Sequence, residues 1–535
     1  MVGKLELHGF SFLTKMIISP TIEKMNLIAK NRIRPSETDA RRSSGNLRFD
    51  LRSPLDSDYG RLVFSSAFRR LHDKTQVFPL TSNDNIHSRL THSIEVASVG
   101  RSFAISILND AKIKEYFRSD GVKDEQLWRD LPVLMEVICL AHDIGNPPLG
   151  HFGEVAIQYY FFNLFKQMQD DINVNEDISK TTNPIIQSEL KSIRNKGKTP
   201  GQIKAEISDF LNGKNLVKYD YTYFDGNAEG FRVLTKLQFL NDLYGLNLTC
   251  ASLAAFLKYP NLGEPDKKGA IGLHKHGVFV TEKDVMTEAM DKCGILKISE
   301  ISYNRHPLSF LMEAADTISY LLMDLEDAVT KGWITFDDIK KLLEACPSGL
   351  KLVQEAGNHY TGNDPQKKCM VQLRSELMSH LVDVAYRNFS RHFDEILKGD
   401  YKNELVNDDP DSLAIIIENF SRAKVYSHKE IENLELTGDA VITGLLDHYV
   451  KFLFHDSKQF RFRCKHVISK SVFLTTLQEH IDYFGLDAKS WNLYDDFDPS
   501  ELTFEEKFRI IRDHVACMTD KYAVEQYQKL SGQKI

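Results

Sequence analysis

The chain has 535 residues, 42% hydrophobic and 27% charged, a usage that excludes a mainly disordered chain or a fibre and suffices for a large core without metals or disulfides. Lys and Arg number 67 against 75 Asp and Glu, a formal net charge of −8, so a dedicated non-specific nucleic-acid binder is not the default reading. The seven cysteines are scattered, odd in number and without a C-x-x-C pair, which fits free thiols in a reducing compartment.

No stretch approaches the ~18 consecutive apolar residues of a membrane span. The short apolar patch around Phe10–Ile18 is broken by Lys15 and lacks the pattern of a signal peptide. The chain therefore reads as cytoplasmic.

Residues 1–58 read as an N-terminal arm. Arg32, Arg34, Arg41 and Arg42 precede a Ser-Ser-Gly turn there, either as a solvated arm or as one that meets phosphate or another subunit. A helical core is expected over 59–330. Leu90, Ile94, Ala97, Val99, Phe103 and Ile107 give its first apolar face at a helical period. Pro132 is expected in the first turn of a second helix, with Asp130 as its cap. That helix should end at Gly145, Asn146, Pro147, Pro148 and Gly150.

Residues 166–224 are polar and read as an insertion of loops and short helices. The basic run Lys191, Arg194, Lys196 and Lys198 within them is either a solvated face or a contact to nucleic acid or a neighbouring subunit. Val278 and Val280 alternate within Lys275–Glu282, which suggests a small hairpin. Ser309–Val329 is helical, and residues 331–535 are expected to form a further helical lobe. In its last long helix Thr503 stands three before Glu506, a capping-box spacing. Phe504, Phe508, Ile511, Val515, Met518 and Tyr522 should share one face of that helix.

The chemistry is signalled by His142-Asp143 at the end of an apolar helix, just before a Gly/Pro-rich turn. Alone, such a dipeptide is more often structural. His92 at the start of another apolar helix and Asp316 inside a third change that balance. A carboxylate within an apolar helix is costly unless paired or metal-bound. Two His and two Asp suit one divalent ion, with open positions for water and a phosphate oxygen.

The pattern His92…His142-Asp143…Asp316 resembles the H…HD…D signature of the HD-domain phosphohydrolases. The flanks are more specific. Ser65–Leu71, Asp73–Leu80, Arg89–Ser93, Ala141–Pro148, Gly150–Glu154, Phe224–Ala228 and Met518–Asp520 are similar to blocks of the deoxyguanosine triphosphate triphosphohydrolases, the long bacterial type, over roughly residues 30–525. That family more often has Glu where Asp225 stands and Gln where His72 stands.

The resemblance implies an all-α fold, an HD-type core with a helical C-terminal lobe and at most a small β-hairpin. It implies hydrolysis of dGTP, or other dNTPs, to the deoxynucleoside and tripolyphosphate. His92, His142, Asp143 and Asp316 would hold one divalent metal: Mn, Mg or Co, with Fe, Ni or Zn also compatible. His151 would donate a proton to O5′, oriented by Glu154 one helical turn on. Tyr320 and Asp324 follow Asp316 on one helix face; with Gln76 and Val77 they match positions around the deoxyribose. Lys258, Tyr259 and Lys275 would meet a triphosphate carrying about four charges. Glu435 would face the guanine edge, as would either Arg461 or Arg463. Family members are oligomeric, often hexameric, and some bind single-stranded DNA as an activator. Alternatives are another HD phosphohydrolase with a broad dNTP or a nucleoside monophosphate range, or a nucleic-acid-regulated binding protein with a weak site.

Overall fold

The structure is a computed structural model that describes residues 25–33, 52–76, 78, 86–118, 123–238, 244–358, 365–409, 411–486 and 489–534. The fold is all-α with one small hairpin. Among the described residues the only strands are Lys297–Ser299 and Ser302–Tyr303, paired antiparallel. The hairpin is therefore not where alternation placed it. Residues 275–282 instead form an irregular turn ending in a 3₁₀ turn at Val280–Glu282. Val278 and Phe279 are both fully buried, so the alternation there does not separate a wet face from a dry one.

Three long helices frame the centre. The Arg89–Asn109 helix starts at a reciprocal cap between Ser88 and Thr91, which places His92 just inside its first turn. His92, Val96, Val99, Phe103 and Ile107 form its buried face, whereas Ile94 projects away and is 54% exposed.

The second helix, Asp124–Ala141, corrects the expected start. Pro132 lies inside it, and Asp130 does not cap it but pairs with Lys30. An internal proline costs about 3 kcal/mol. Leu127, Leu131, Leu134, Met135 and Ile138 are fully buried on the same helix, at roughly 2 kcal/mol each, so burial wins. The helix ends where expected, with His142 as its C-terminal cap residue.

The third helix, Pro307–Thr330, is capped by the His306 side chain and has Pro307 in its first turn. Leu308, Leu311, Ala315, Ile318, Leu321 and Leu325 are buried almost all round it, and the acids Glu313, Asp316, Asp324 and Asp327 interrupt that apolar surface.

The 166–224 region is largely short helices joined by turns, after the end of a long one. The His151–Val174 helix runs into it, and Pro184–Leu190 and Pro200–Leu211 follow. In its basic run Lys191 pairs with Asp456, and Arg194 and Lys198 share Glu206. Those internal pairs favour the solvated-face reading. Where the N-terminal segment is described it is packed rather than free: Leu27, Ile28 and Ala29 are buried, and Arg32 bonds Asp58 and the Pro54 carbonyl. Arg34, Arg41 and Arg42 lie outside the described residues. No helix of the described residues is long and apolar enough to cross a membrane.

The capping box of Thr503 and Glu506 is present. The helix it starts stops at Ala516, however, and a separate helix, Asp520–Leu530, follows Thr519. Met518 is buried in the turn between them, and Tyr522 is 41% exposed. Continuing one periodicity across the turn was the error. Buried ion pairs join the Phe504–Ala516 helix to the core: Arg232 meets Asp513 at 2.7 Å and Lys507 meets Glu189 at 2.7 Å. Such pairs specify register more than they add stability, but a stranded partner is costly. Lys507→Met, which leaves Glu189 buried without its cation, is expected to cost about 3–5 kcal/mol in a denaturant or thermal melt. Adding Glu189→Gln should restore most of the loss; a double variant no better than the single one contradicts this account.

Candidate active site

The three framing helices deliver their polar side chains to one buried junction. His92 Nε2 lies 3.1 Å from Asp316 Oδ1. His142 Nε2 lies 3.5 Å from the same oxygen and 3.4 Å from Asp143 Oδ1. The two imidazole centroids are 5.2 Å apart, edge to face. Donor atoms of His92, His142 and Asp143 all fall within 4.8 Å of one another, a group able to hold a metal ion.

The donor chemistry tests that fit. His142 Nδ1 bonds the Cys139 carbonyl at 2.7 Å, which puts a proton on Nδ1 and turns the Nε2 lone pair toward the carboxylates. Nε2 has no hydrogen-bond partner, and His92 Nδ1 is likewise buried and unpartnered. A lone pair facing two carboxylate oxygens is repulsive unless a proton or a cation lies between. Burial opposes charge on His142, yet Asp143 and Asp316 raise its pKa to about 9. Burial also opposes the charge of Asp316, and His142 and Lys258 override it, holding the carboxyl well below its usual range. The junction favours positive charge, and His92, His142 and Asp143 fit a divalent ion, with Asp316 in contact with both imidazoles.

Arg89 and Asn146 support this cluster and were not singled out by sequence reasoning. Arg89 Nη1 bonds Asp143 Oδ2, and Asn146 Nδ2 donates to Asp143 Oδ1 at 2.7 Å. The signal available for Arg89 was its position three before His92, on the same helix face.

His151 opens the helix that follows the Gly/Pro turn. Its Nδ1 bonds Glu154 Oε2 at 2.9 Å, and Glu154 Oε1 accepts from the Gly226 amide at 2.7 Å. Glu154 is buried while the His151 side chain is 74% exposed. Lys258 lies 3.4 Å from Asp316 and 3.8 Å from Glu313. Lys275 lies 2.7 Å from Asp225, which also caps the Gly226–Arg232 helix. Arg89, His142, Asp143, His151, Lys258 and Lys275 are among the residues lining a polar cavity of about 190 Å³. A larger cavity of about 670 Å³, lined by Arg61, Arg69 and Arg70 among others, contains none of the expected site residues. The chemistry belongs to the smaller one, where the acids, imidazoles and cations converge.

No protein-family model matches the chain. It is 31% identical over 507 residues to a deoxyguanosinetriphosphate triphosphohydrolase-like protein of Listeria monocytogenes, covering 92% of this chain and 97% of that one. It is 31% identical over 514 residues to a deoxyguanosinetriphosphate triphosphohydrolase of Klebsiella pneumoniae, covering 90% and 94%. The chain belongs to the deoxyguanosinetriphosphate triphosphohydrolase family.

The other described residues that resemblance to this family suggested, Tyr259, Gln76, Tyr320, Asp324 and Glu435, are not part of that lining. Tyr259 sits 5.0 Å from Arg305 and 5.7 Å from Lys275, each over its ring. Gln76 is half-buried, with Oε1 buried and unpartnered; Val77 lies outside the described residues. Tyr320 is half-buried. Asp324 accepts from the Tyr426 hydroxyl, and burial lifts its carboxyl to about 7. Glu435 is half-buried on the Lys429–Leu453 helix. Burial and Glu432 raise its pKa, and His151 lowers it. Arg461 is consumed by a two-pronged bond to Asp498, 2.9 Å on each arm, and by the His455 and Asp456 carbonyls. Arg463 lies over the Phe460 ring. Neither arginine lines the cavity. His72, the other departure from the family pattern, is exposed beside Asp73.

Glu154 holds the His151 proton and raises its pKa above the ordinary 6.5, against the opposing effect of partial burial. The raised sign means that the pair's stabilisation is complete below that ordinary value and fades as pH rises through the folded-state pKa. In Glu154→Gln the His151 titration, followed by NMR of the ring, should fall back toward the ordinary value. An unmoved titration contradicts the pairing.

Proposed function

We propose that this protein hydrolyses dGTP, and other dNTPs to an extent set by the base pocket, to the deoxynucleoside and inorganic tripolyphosphate. In this reading water attacks the α-phosphorus and the bond to O5′ breaks. The observation that carries it is the single junction of His92, His142, Asp143 and Asp316, bordered by the His151–Glu154 pair and by Lys258 and Lys275.

The four junction residues would hold one divalent ion, with Mn, Mg or Co the best match and Fe, Ni or Zn compatible with the same donors. Such an ion, when bound, supplies Lewis-acid polarisation of a phosphate oxygen and a more acidic water. The remaining work falls to this chain's own groups. Arg89 and Asn146 fix Asp143, so its oxygens keep one orientation. Lys258, Lys275 and Arg89 offer positive charge where the triphosphate and the transition state carry negative charge. Glu154 holds His151 by Nδ1, leaving Nε2 to deliver a proton to O5′ as the bond breaks. Tyr320, Gln76, Val77 and Asp324 are assigned to the deoxyribose, where a ring against C2′ excludes a ribonucleotide by clash. Glu435 is assigned to the guanine edge as an acceptor. The relatives named for deoxyguanosinetriphosphate support the substrate class.

Product analysis is decisive. Purified protein with Mn²⁺ or Mg²⁺ should release tripolyphosphate from dGTP; pyrophosphate or single phosphates would overturn the reading. His142→Ala should abolish turnover with the fold retained by circular dichroism, and retained turnover would remove the metal assignment. His151→Ala should lower kcat by about 10²–10⁴-fold. Because His151 must be protonated to act, kcat should decline as pH rises through its raised pKa. In Glu154→Gln that decline should begin at lower pH.

A further inference from the structure

Two sequence blocks that carried the family resemblance have no role in the chemistry above: Asp73-Lys74-Thr75 and Met518-Thr519-Asp520. They meet in space, and they meet on the loop that joins Asp143 to His151.

Asp520 is 2% exposed and Lys74 is 3% exposed. Neither lines the cavity, so neither is available to a substrate. One Asp520 oxygen accepts from both the Thr75 amide, at 2.9 Å, and the Thr75 hydroxyl. Its other oxygen accepts from the Leu149 amide at 2.8 Å. Lys74 Nζ donates to the Asn146 carbonyl and, at 3.3 Å, to the Ala516 carbonyl. Ala516 ends the Phe504–Ala516 helix, where the helix dipole favours a cation.

The backbone held in this way is strained. Leu149 has φ of 64° and Gly150 a φ of 61°; a leucine adopts that region only when its surroundings enforce it. The opposite face of the loop has no slack, since a Cβ on Gly145 would lie 1.9 Å from the Gly230 amide nitrogen. The loop is therefore pressed against the Gly226–Arg232 helix on one side and tied to the C-terminal turn on the other. Its two tied points bracket the chemistry. Asn146 orients Asp143 through its side chain, and Leu149 stands two residues before His151.

We propose that Lys74 and Asp520 are positioning residues, which hold the Asp143–His151 loop in its reactive shape through the Asn146 carbonyl and the Leu149 amide. The assignment of a catalytic consequence rests on the hydrolase reading above. A carboxylate is required at 520 because donors approach both oxygens. An amide of the same shape keeps one acceptor and turns its NH₂ toward a donor N–H. Two backbone carbonyls in turn require a donor at 74.

Asp520→Asn and Lys74→Met test this. Steady-state kinetics with dGTP should show kcat lowered about 10- to 100-fold, the effect of displacing reacting groups by about an ångström, with KM within about threefold of wild type. Hydrogen exchange read by mass spectrometry should speed up in the peptide covering residues 144–152 and stay unchanged in peptides of the Arg89–Asn109 helix. Unchanged kcat and loop exchange in both variants would overturn the proposal. So would protection lost throughout the chain in both, which marks a merely structural role. Should Asp520→Asn fail to fold, Lys74→Met alone decides by the same criteria. The two claims separate on the wild-type protein: absence of tripolyphosphate removes the hydrolase reading, while loop exchange in the variants still decides whether these residues hold the loop.

Discussion

The carboxylate of Asp316, half-buried and facing two imidazoles, is the constraint on which the rest of the structure depends. Like charges 4 Å apart repel by about 4 kcal/mol at the effective dielectric of a protein, and Asp143 stands across the same junction. A fold can hold that arrangement only if positive charge is drawn to it. Arg89 supplies some to Asp143 and Lys258 some to Asp316, and His142 presents an unpartnered nitrogen to both acids. Bringing these acids together costs stability unless positive charge offsets them, and the His and Asp donors form a group that could hold a metal ion.

The same logic governs the outer ring of charges. Lys258 and Lys275 are not held in readiness as free cations. Each rests on a carboxylate, Asp316 and Asp225 respectively, and Arg89 rests on Asp143. Under the proposed reading, a polyphosphate would exchange one set of anionic partners for another, which would lower the desolvation cost of the encounter. Asp225 is at once a helix cap and the counter-ion of Lys275. One carboxylate does both, accepting from the Asn227 amide while paired with Lys275.

The C-terminal helices are part of this architecture rather than an appendage. Arg232, the last residue of the loop-packing Gly226–Arg232 helix, is fully buried between Asp513, Glu282 and Glu479. Lys507 is buried against Glu189 from the polar insertion. Interactions of this kind bind distant segments in one register, since sliding any of them strands a charge in a dry interior.

Helical period, capping residues and breakers are local properties, and they were legible without coordinates. The Thr503–Glu506 cap, the helix end at His142 and the all-helical class follow from residues close in the chain. So does the suspicion attached to Asp316, because an acid within an apolar run is costly in any fold. What local pattern misjudged were places where burial overruled propensity. Pro132 stays inside a helix because five apolar neighbours are buried with it. Val278 alternates without forming a strand because both of its faces are dry. Tyr522 falls beyond a turn that no periodicity marks. Only the tertiary structure brought Arg89 and Asn146 to Asp143, set Arg461 against Asp498 instead of a ligand, and tied Leu149 to Asp520. These pairings join residues far apart in sequence, and their energies depend on distance and burial, which residue order does not encode.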